Sequence, residues 1–170
     1  PQRDFTPISL LVTSPLLLAV SSSVPVGSVK ELIDFARKSV KKLNYASAGI
    51  GAPNHIASEL FKHMAGVDMV HVPFKGFGLG IVDLMSGQVQ VMFNPVTGLL
   101  PYVKSGKVKG LAVTSTERFA AVPDLPTVAE SGLPGFDYTL WYSMVAPAGL
   151  APAIQKRLNT EVVKLLNDAD

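Results

Sequence analysis

The sequence predicts an α/β fold with a mainly parallel sheet flanked by helices. Three observations carry that expectation. Apolar strand-like runs alternate with amphipathic helix-like segments from Leu16 to Thr114, the links between them are short, and glycines at Gly66, Gly87 and Gly106 stand where helices should stop. Such alternation buries a mainly parallel sheet between helices.

Each element has its own justification. Leu16–Ser21 reads as a short buried strand. Ser28 is placed to cap a helix over Val29–Lys38, and Glu31 completes a capping box three residues later. Val29, Leu32, Ile33 and Ala36 line one face of that helix. Leu43–Ala48 is the next strand, and Pro53–Met64 the next helix, with Ile56, Leu60, Phe61 and Met64 expected inside. Met69–Phe74, Val89–Phe93 and Val108–Thr114 read as strands, separated by helices over Gly80–Ser86 and Val96–Lys104. Beyond Thr114 the pattern changes. Residues 122–135 are rich in proline and glycine, with one helical turn near Thr127–Ser131. Tyr138–Val145 is extended and contains Trp141 and Tyr142, either core or interface residues or an aromatic ligand wall. A turn at Ala146–Gly149 leads to a last helix near Pro152, where proline suits the first turn.

Composition narrows the function. The chain has 170 residues, 48% hydrophobic and 16% charged, enough for one core or for one domain and part of another. Net charge is only +2, and the cluster Arg37, Lys38, Lys41 and Lys42 reads as a solvated helix end, so no nucleic-acid partner is expected. The absence of cysteine excludes disulfides, thiolate catalysis and cysteine-based zinc sites. The apolar run Leu10–Val20 is broken by Thr13, Ser14 and Pro15, too short and interrupted to span a bilayer. Residues 1–5 show neither an initiator Met nor a targeting signal, and residues 158–170 read as a helix without a glycine cap, so the chain reads as part of something longer.

In an open α/β sheet, ligands sit at the carboxyl ends of the strands. Three loops are predicted at that edge: Ser47–Asn54, Pro73–Gly80 and Asn94–Gly98. All are built of small residues, amides, hydroxyls and glycines at points where a helix begins. Helix N-termini offer unpaired N–H groups and partial positive charge, which suit a carboxylate or a phosphate. Gly49-Ile50-Gly51 lacks the third glycine of a dinucleotide fingerprint, and Gly76-Phe77-Gly78-Leu79-Gly80 has the wrong spacing. His55 and His63 stand two helical turns apart with no carboxylate arranged as a third ligand, so neither metal nor cofactor is expected. His71 reads as a strand residue held by a hydrogen bond. His55 reads as bonded to a neighbouring loop or in contact with ligand. Lys75 is either an anion partner or a surface lysine at a turn, and Gly76 beside it belongs to the same wall. Ser47 has no nucleophile-elbow glycines around it.

These loops carry a resemblance. The run 43–76, with VPFKG at its end, residues 82–93, the stretch PDLPTVAESGLPG at 123–135 and the APAG turn at 146–149 resemble the extracytoplasmic solute receptors of tripartite tricarboxylate transporters, the TctC or Bug family. The opening residues 4–20 fit as well, and the resemblance runs along essentially the whole chain. It implies a two-lobed, non-catalytic receptor similar to type 2 periplasmic binding proteins. Such a receptor captures a small organic carboxylate in the periplasm and delivers it to membrane permease subunits. On this comparison residues 1–14 are a hinge and lobe-one segment, 15–137 lobe two, 138–146 a hinge strand and 147–170 a lobe-one helix segment. The signal peptide and the first part of lobe one are then expected to lie outside this chain.

The resemblance places the ligand carboxylate at Ser47, Ala48, Gly49, Gly51 and Ala52, through N–H groups, a hydroxyl and water. Ala52 stands where the family often has Ser or Thr, which removes a hydroxyl. Asn94 stands where Asp is frequent, which disfavours an ammonium-bearing ligand and favours a plain carboxylate. Phe74 replaces a frequent Tyr. Two other classes remain open. One is an α/β enzyme using Lys75 or His55 as a proton carrier. The other is an isolated interaction lobe without ligand affinity. With half a cleft, weak ligand binding or none is expected, and segments 138–145 and 151–167 are expected to pair between chains as dimers or swapped assemblies.

Overall fold

The computed structural model describes residues 3–168. The elements run β1 (Phe5–Ser21), α1 (Val29–Lys38), β2 (Leu43–Ser47), α2 (Pro53–Ala65), β3 (Met69–Pro73), α3 (Leu79–Ser86), β4 (Val91–Pro95), α4 (Val96–Lys104), β5 (Val108–Val113), β6 (Thr139–Pro147) and α5 (Pro152–Asn167). They fall into a central unit, residues 14–139, and a terminal unit of residues up to 13 and from 140 onward.

The sheet of the central unit has the order β3-β2-β4-β1-β5. β2 pairs in parallel with both β3 and β4, whereas β1 lies antiparallel between β4 and β5. The sheet is therefore mixed, with one reversed strand in an otherwise co-directional set. Alternating strand and helix signals identify elements but carry no information about the direction of the strand inserted between two others.

β1 is also much longer than the six residues expected from the sequence. Thr13, Ser14 and Pro15 do not interrupt it. Pro15 lacks an N–H, but the pairing with β4 and β5 begins only at Leu16 and Leu17, so those two ladders lose nothing there. Leu16 to Val20 are completely buried, as a strand covered on both faces requires.

Neighbouring residues of β4 serve opposite faces of the sheet. Met92 packs with Leu17, Ala19 and Ala46 against Ile81 and Leu84 of α3 and Leu99 of α4. Phe93 meets Phe61 of α2 and Phe136, with ring centroids 5.7 and 6.4 Å away. On the first face Gly80 fixes how close α3 comes. A Cβ there would lie 2.9 Å from Ala46 Cβ and 3.3 Å from Met92 Cε and Phe74 Cδ2. Gly80→Ala is therefore expected to lower stability by about 1–3 kcal/mol through overpacking, although alanine elsewhere in a helix gains about 1 kcal/mol. A urea midpoint at or above that of the wild type would contradict this.

The first helix follows its sequence signals. Ser28 Oγ accepts the Glu31 N–H (3.2 Å), and Glu31 Oε2 reaches back to Gly27 N–H at 2.7 Å. Val29, Leu32 and Ile33 are buried and Ala36 is half-buried.

The buried face of α2 differs from expectation. It carries Asn54, Ala57, Ser58, Phe61 and Ala65, while Ile56 is 45% exposed and Leu60 and Met64 are half-buried. Two polar residues lie on this inner stripe, so apolar periodicity pointed to a rotated one. Their burial is made possible by hydrogen bonds: Ser58 Oγ donates to Asn54 C=O (2.7 Å), and Asn54 Oδ1 accepts from Ala48 N–H (3.0 Å). Gly66 ends the helix in the left-handed conformation at φ 60°.

In the terminal unit β6 pairs with β1, and Ala148 N–H donates to Asp4 C=O at 2.9 Å. Gln155 and Asn159, one turn apart on α5, donate to the carbonyls of Pro7 and Ile8 at 2.8 Å each. α5 has no buried residue, and Trp141 and Tyr142 of β6 are exposed. Among the described residues no helix is long and apolar enough to cross a membrane.

Candidate functional site

Because β2 lies between β3 and β4 and is parallel to both, the loops that follow these three strands open on one edge of the sheet. They lead into α2, α3 and α4. The N-cap positions are Ala52, Gly78 and Pro95, none with a side-chain cap, and no first turn contains an acidic residue. The contrast is α1, which has both a serine cap and Glu31. Three helix N-termini thus present uncompensated partial positive charge at one edge.

The first loop is braced from within. Ser47 is 1% exposed, and its Oγ accepts Gly49 N–H (3.0 Å) and lies 3.2 Å from Gly49 C=O. The same oxygen is 2.5 Å from His71 Nε2. Ala48 N–H goes to Asn54 Oδ1, Ala52 N–H to Gly49 C=O (3.2 Å) and Gly51 N–H to His55 Nδ1 (3.4 Å). The N–H groups of Ala48, Gly49, Gly51 and Ala52, expected from the sequence to face a ligand, are thus engaged inside the loop. The N–H groups of Asn54 and His55 precede the first α-helical bond, Ile56 N–H to Ala52 C=O at 3.0 Å, and are the orphans of this helix start. Gly49 and Gly51 hold φ of 120° and 79°, and no atom lies within 4 Å of where a Cβ would be, so the loop is open above them.

The other two loops supply Lys75, Gly76 and Asn94. Lys75 is exposed, and Gly76 is open at φ 127°. Asn94, at the end of β4, is 1% exposed. A Cβ at Gly98 would sit 3.0 Å from Asn94 Nδ2. Among the described residues, two buried side-chain amide atoms have no hydrogen-bond partner, the donor Asn54 Nδ2 and the acceptor Asn94 Oδ1. Such orphans are rare in folded chains, and a water or a ligand group is what satisfies them where one can reach.

Behind the first loop lies a polar aromatic cluster. His71 is directly opposite Tyr45 in the β2–β3 register, and the rings stack at 4.9 Å. His55 meets His71 at 4.5 Å between centroids. Tyr45 Oη donates to Glu59 Oε1 at 2.5 Å, and Lys62 Nζ donates to the same oxygen at 2.7 Å. Burial, then the Glu59 carboxylate, pushes the Tyr45 hydroxyl far above its ordinary range. Burial pushes Glu59 upward, but the bonds from Lys62 and Tyr45 outweigh it and hold the carboxyl below its usual value. Burial, and then charge on His55, keeps His71 below the ordinary histidine value.

From the sequence Asn54 is only the end of the first loop and not a ligand-binding residue, Tyr45 is not a site residue, and His71 is a structural strand residue. A signal was present in period-two spacing: Tyr45 and Ser47 share one face of β2, and the parallel register brings His71 beside them. A surface cleft of about 320 Å³ lies elsewhere, lined by Ser23, Phe35, Lys42 and Gln90. The Gln90 side chain is already bonded at both ends, to Asn44 N–H and Gly87 C=O, which makes it a poor ligand site.

This mixed sheet with its edge of loops and helix starts superposes on the structure of the periplasmic binding protein BugD with a TM-score of 0.88 at 34% identity, covering 99% of this chain and 56% of that one. The family described as tripartite tricarboxylate transporter family receptor matches residues 1–169, and the chain belongs to that family. A protein of Pseudomonas sp. strain P51, from the tcbD-tcbE intergenic region, is 37% identical over 99% of this chain and 50% of its own length. The structure of R. palustris Rpa4515 with adipate superposes with a TM-score of 0.91 at 37% identity, covering 99% of this chain and 56% of that one. MatC (Rpa3494) from Rhodopseudomonas palustris, with bound malate, gives 0.86 at 34%, covering 97% and 56%. The chain spans about half the length, 50%, of the curated relatives it matches.

Proposed function

We propose that this chain supplies one wall of a site for a small organic carboxylate, in a non-catalytic periplasmic receptor that hands its ligand to membrane permease subunits. The observation that carries this reading is the convergence of three helix N-termini without side-chain caps or acidic first turns, beside an unpaired buried amide donor, Asn54 Nδ2. Family membership supports it, as do the adipate and malate bound by two related structures. The ligand carboxylate would be met by the N–H groups of Asn54 and His55, with Ser47, Ala48, Gly49, Gly51 and Ala52 shaping the loop. Lys75, Gly76 and Asn94 would complete the wall, and the neutral Asn94 amide favours a plain dicarboxylate over an amino acid.

Ser47 and His71 stand as a nucleophile and base would. Yet Ser47 is 1% exposed and its oxygen is committed to Gly49, so the pair holds the loop and is closed to substrate.

Titration of the isotope-labelled chain with adipate, malate and a panel of amino acids tests the proposal. Amide shift changes confined to the three loops, in the millimolar range expected of a one-sided cleft, are expected for the dicarboxylates. Changes confined to other surfaces would overturn it. Chemical consumption of an acid would favour the enzyme reading instead.

A further inference from the structure

His55 gives the first loop a chemical property that helix N-termini alone do not have. Its Nδ1 accepts the Gly51 N–H, so that nitrogen carries no proton in this geometry. The groups facing it are Tyr45 on β2, His71 on β3 and, on its own helix, Glu59, itself shared by Tyr45 and Lys62.

We propose that anion capture at this loop is proton-linked: protonation of His55 at Nδ1 breaks the bond to Gly51, frees that N–H and adds a positive charge beside it. This rests on the carboxylate reading given above. A protonated Nδ1 can only donate, so it and the Gly51 N–H become two donors pointing toward each other. A carboxylate oxygen resolves that conflict by accepting from both. Gly51 has room to turn, because it is an exposed glycine with open space on its Cβ side. A second positive charge on His71, 4.5 Å away, is opposed by burial and by the first. Linkage fixes the sign: an anion that binds the protonated form better raises proton affinity, and acid raises anion affinity by the same factor.

The decisive experiment needs no ligand. Over an acid-to-alkaline pH series, the Gly51 amide resonance is expected to move with the same midpoint as the His55 ring. In His55→Gln, whose amide can accept from Gly51 but does not titrate, that movement should vanish while the His71 ring signal persists in a folded chain. A Gly51 amide that stays still as the wild-type His55 ring titrates, or that still titrates in His55→Gln, overturns the inference. Adipate supplies the second arm. For the fully ionised form of adipate, with the ligand's own protonation allowed for, binding about tenfold tighter at the acid end is expected for one nearby charge, with that gain lost in His55→Gln. Equal affinity at both ends overturns the proton linkage while leaving the carboxylate site intact. Absence of loop shifts at either pH overturns the carboxylate reading and the linkage together.

Discussion

Phe61→Ala is expected to cost the central unit about 3–5 kcal/mol. Phe61 is fully buried, and its ring touches Phe93 and Phe136, which are themselves 0% and 1% exposed and 6.4 Å apart. Truncation removes the transfer energy of the ring and leaves a cavity that two rigid rings cannot collapse to fill. The site would feel the change, because Phe61 seats the same helix whose first turn carries Asn54 and His55. Equilibrium unfolding in urea, followed by circular dichroism, measures the loss, and Phe61→Leu should fall between the two. A cost under about 1 kcal/mol would mean that this part of the core repacks freely.

Thr114→Val should cost about 3 kcal/mol with almost no change in shape. The Thr114 hydroxyl is fully buried and works twice: it accepts the Leu16 N–H at 2.7 Å and donates to Tyr138 C=O at 2.6 Å. Valine replaces it with a methyl group, leaving a buried N–H without an acceptor and a carbonyl with one partner fewer. Main-chain bonds to the same two residues, Thr114 N–H to Leu16 C=O and Tyr138 N–H to Thr114 C=O, both 2.9 Å, remain. Thr114→Ser keeps the hydroxyl and should retain most of the stability in the same urea experiment. A loss in the serine variant with little or none in the valine variant would assign the effect to methyl packing instead.

These two residues mark the limits of what the sequence discloses. Phe61 was legible as core from its place in an apolar helical pattern. Thr114 was not, since a hydroxyl at the end of a strand says nothing about partners 98 and 24 residues away. The same distinction runs through the site. Loops following β2, β3 and β4 were predictable from strand–helix alternation and small residues, and the family was visible in local motifs such as VPFKG. The stripe of α2 that faces inward was misjudged because Asn54 and Ser58 are buried through hydrogen bonds, which hydrophobic periodicity cannot register. The internal use of the Ala48 and Gly51 N–H groups depends on where the Asn54 and His55 side chains turn back. That is a property of three-dimensional closure, beyond the reach of residue type. The length of β1 escapes the sequence for a related reason: Pro15 reads as a breaker until its neighbours show that the ladders to β4 and β5 begin after it.

The three uncapped helix starts bear on how such a receptor diversifies. Main-chain N–H groups belong to every residue except proline, so attraction for negative charge is inherited with the fold and survives drift in loop side chains. In the proposed site those side chains are free to distinguish one acid from another, while the shared scaffold keeps its hold on the carboxylate. A site built this way can change which acid it prefers by a few loop substitutions and without rebuilding its core.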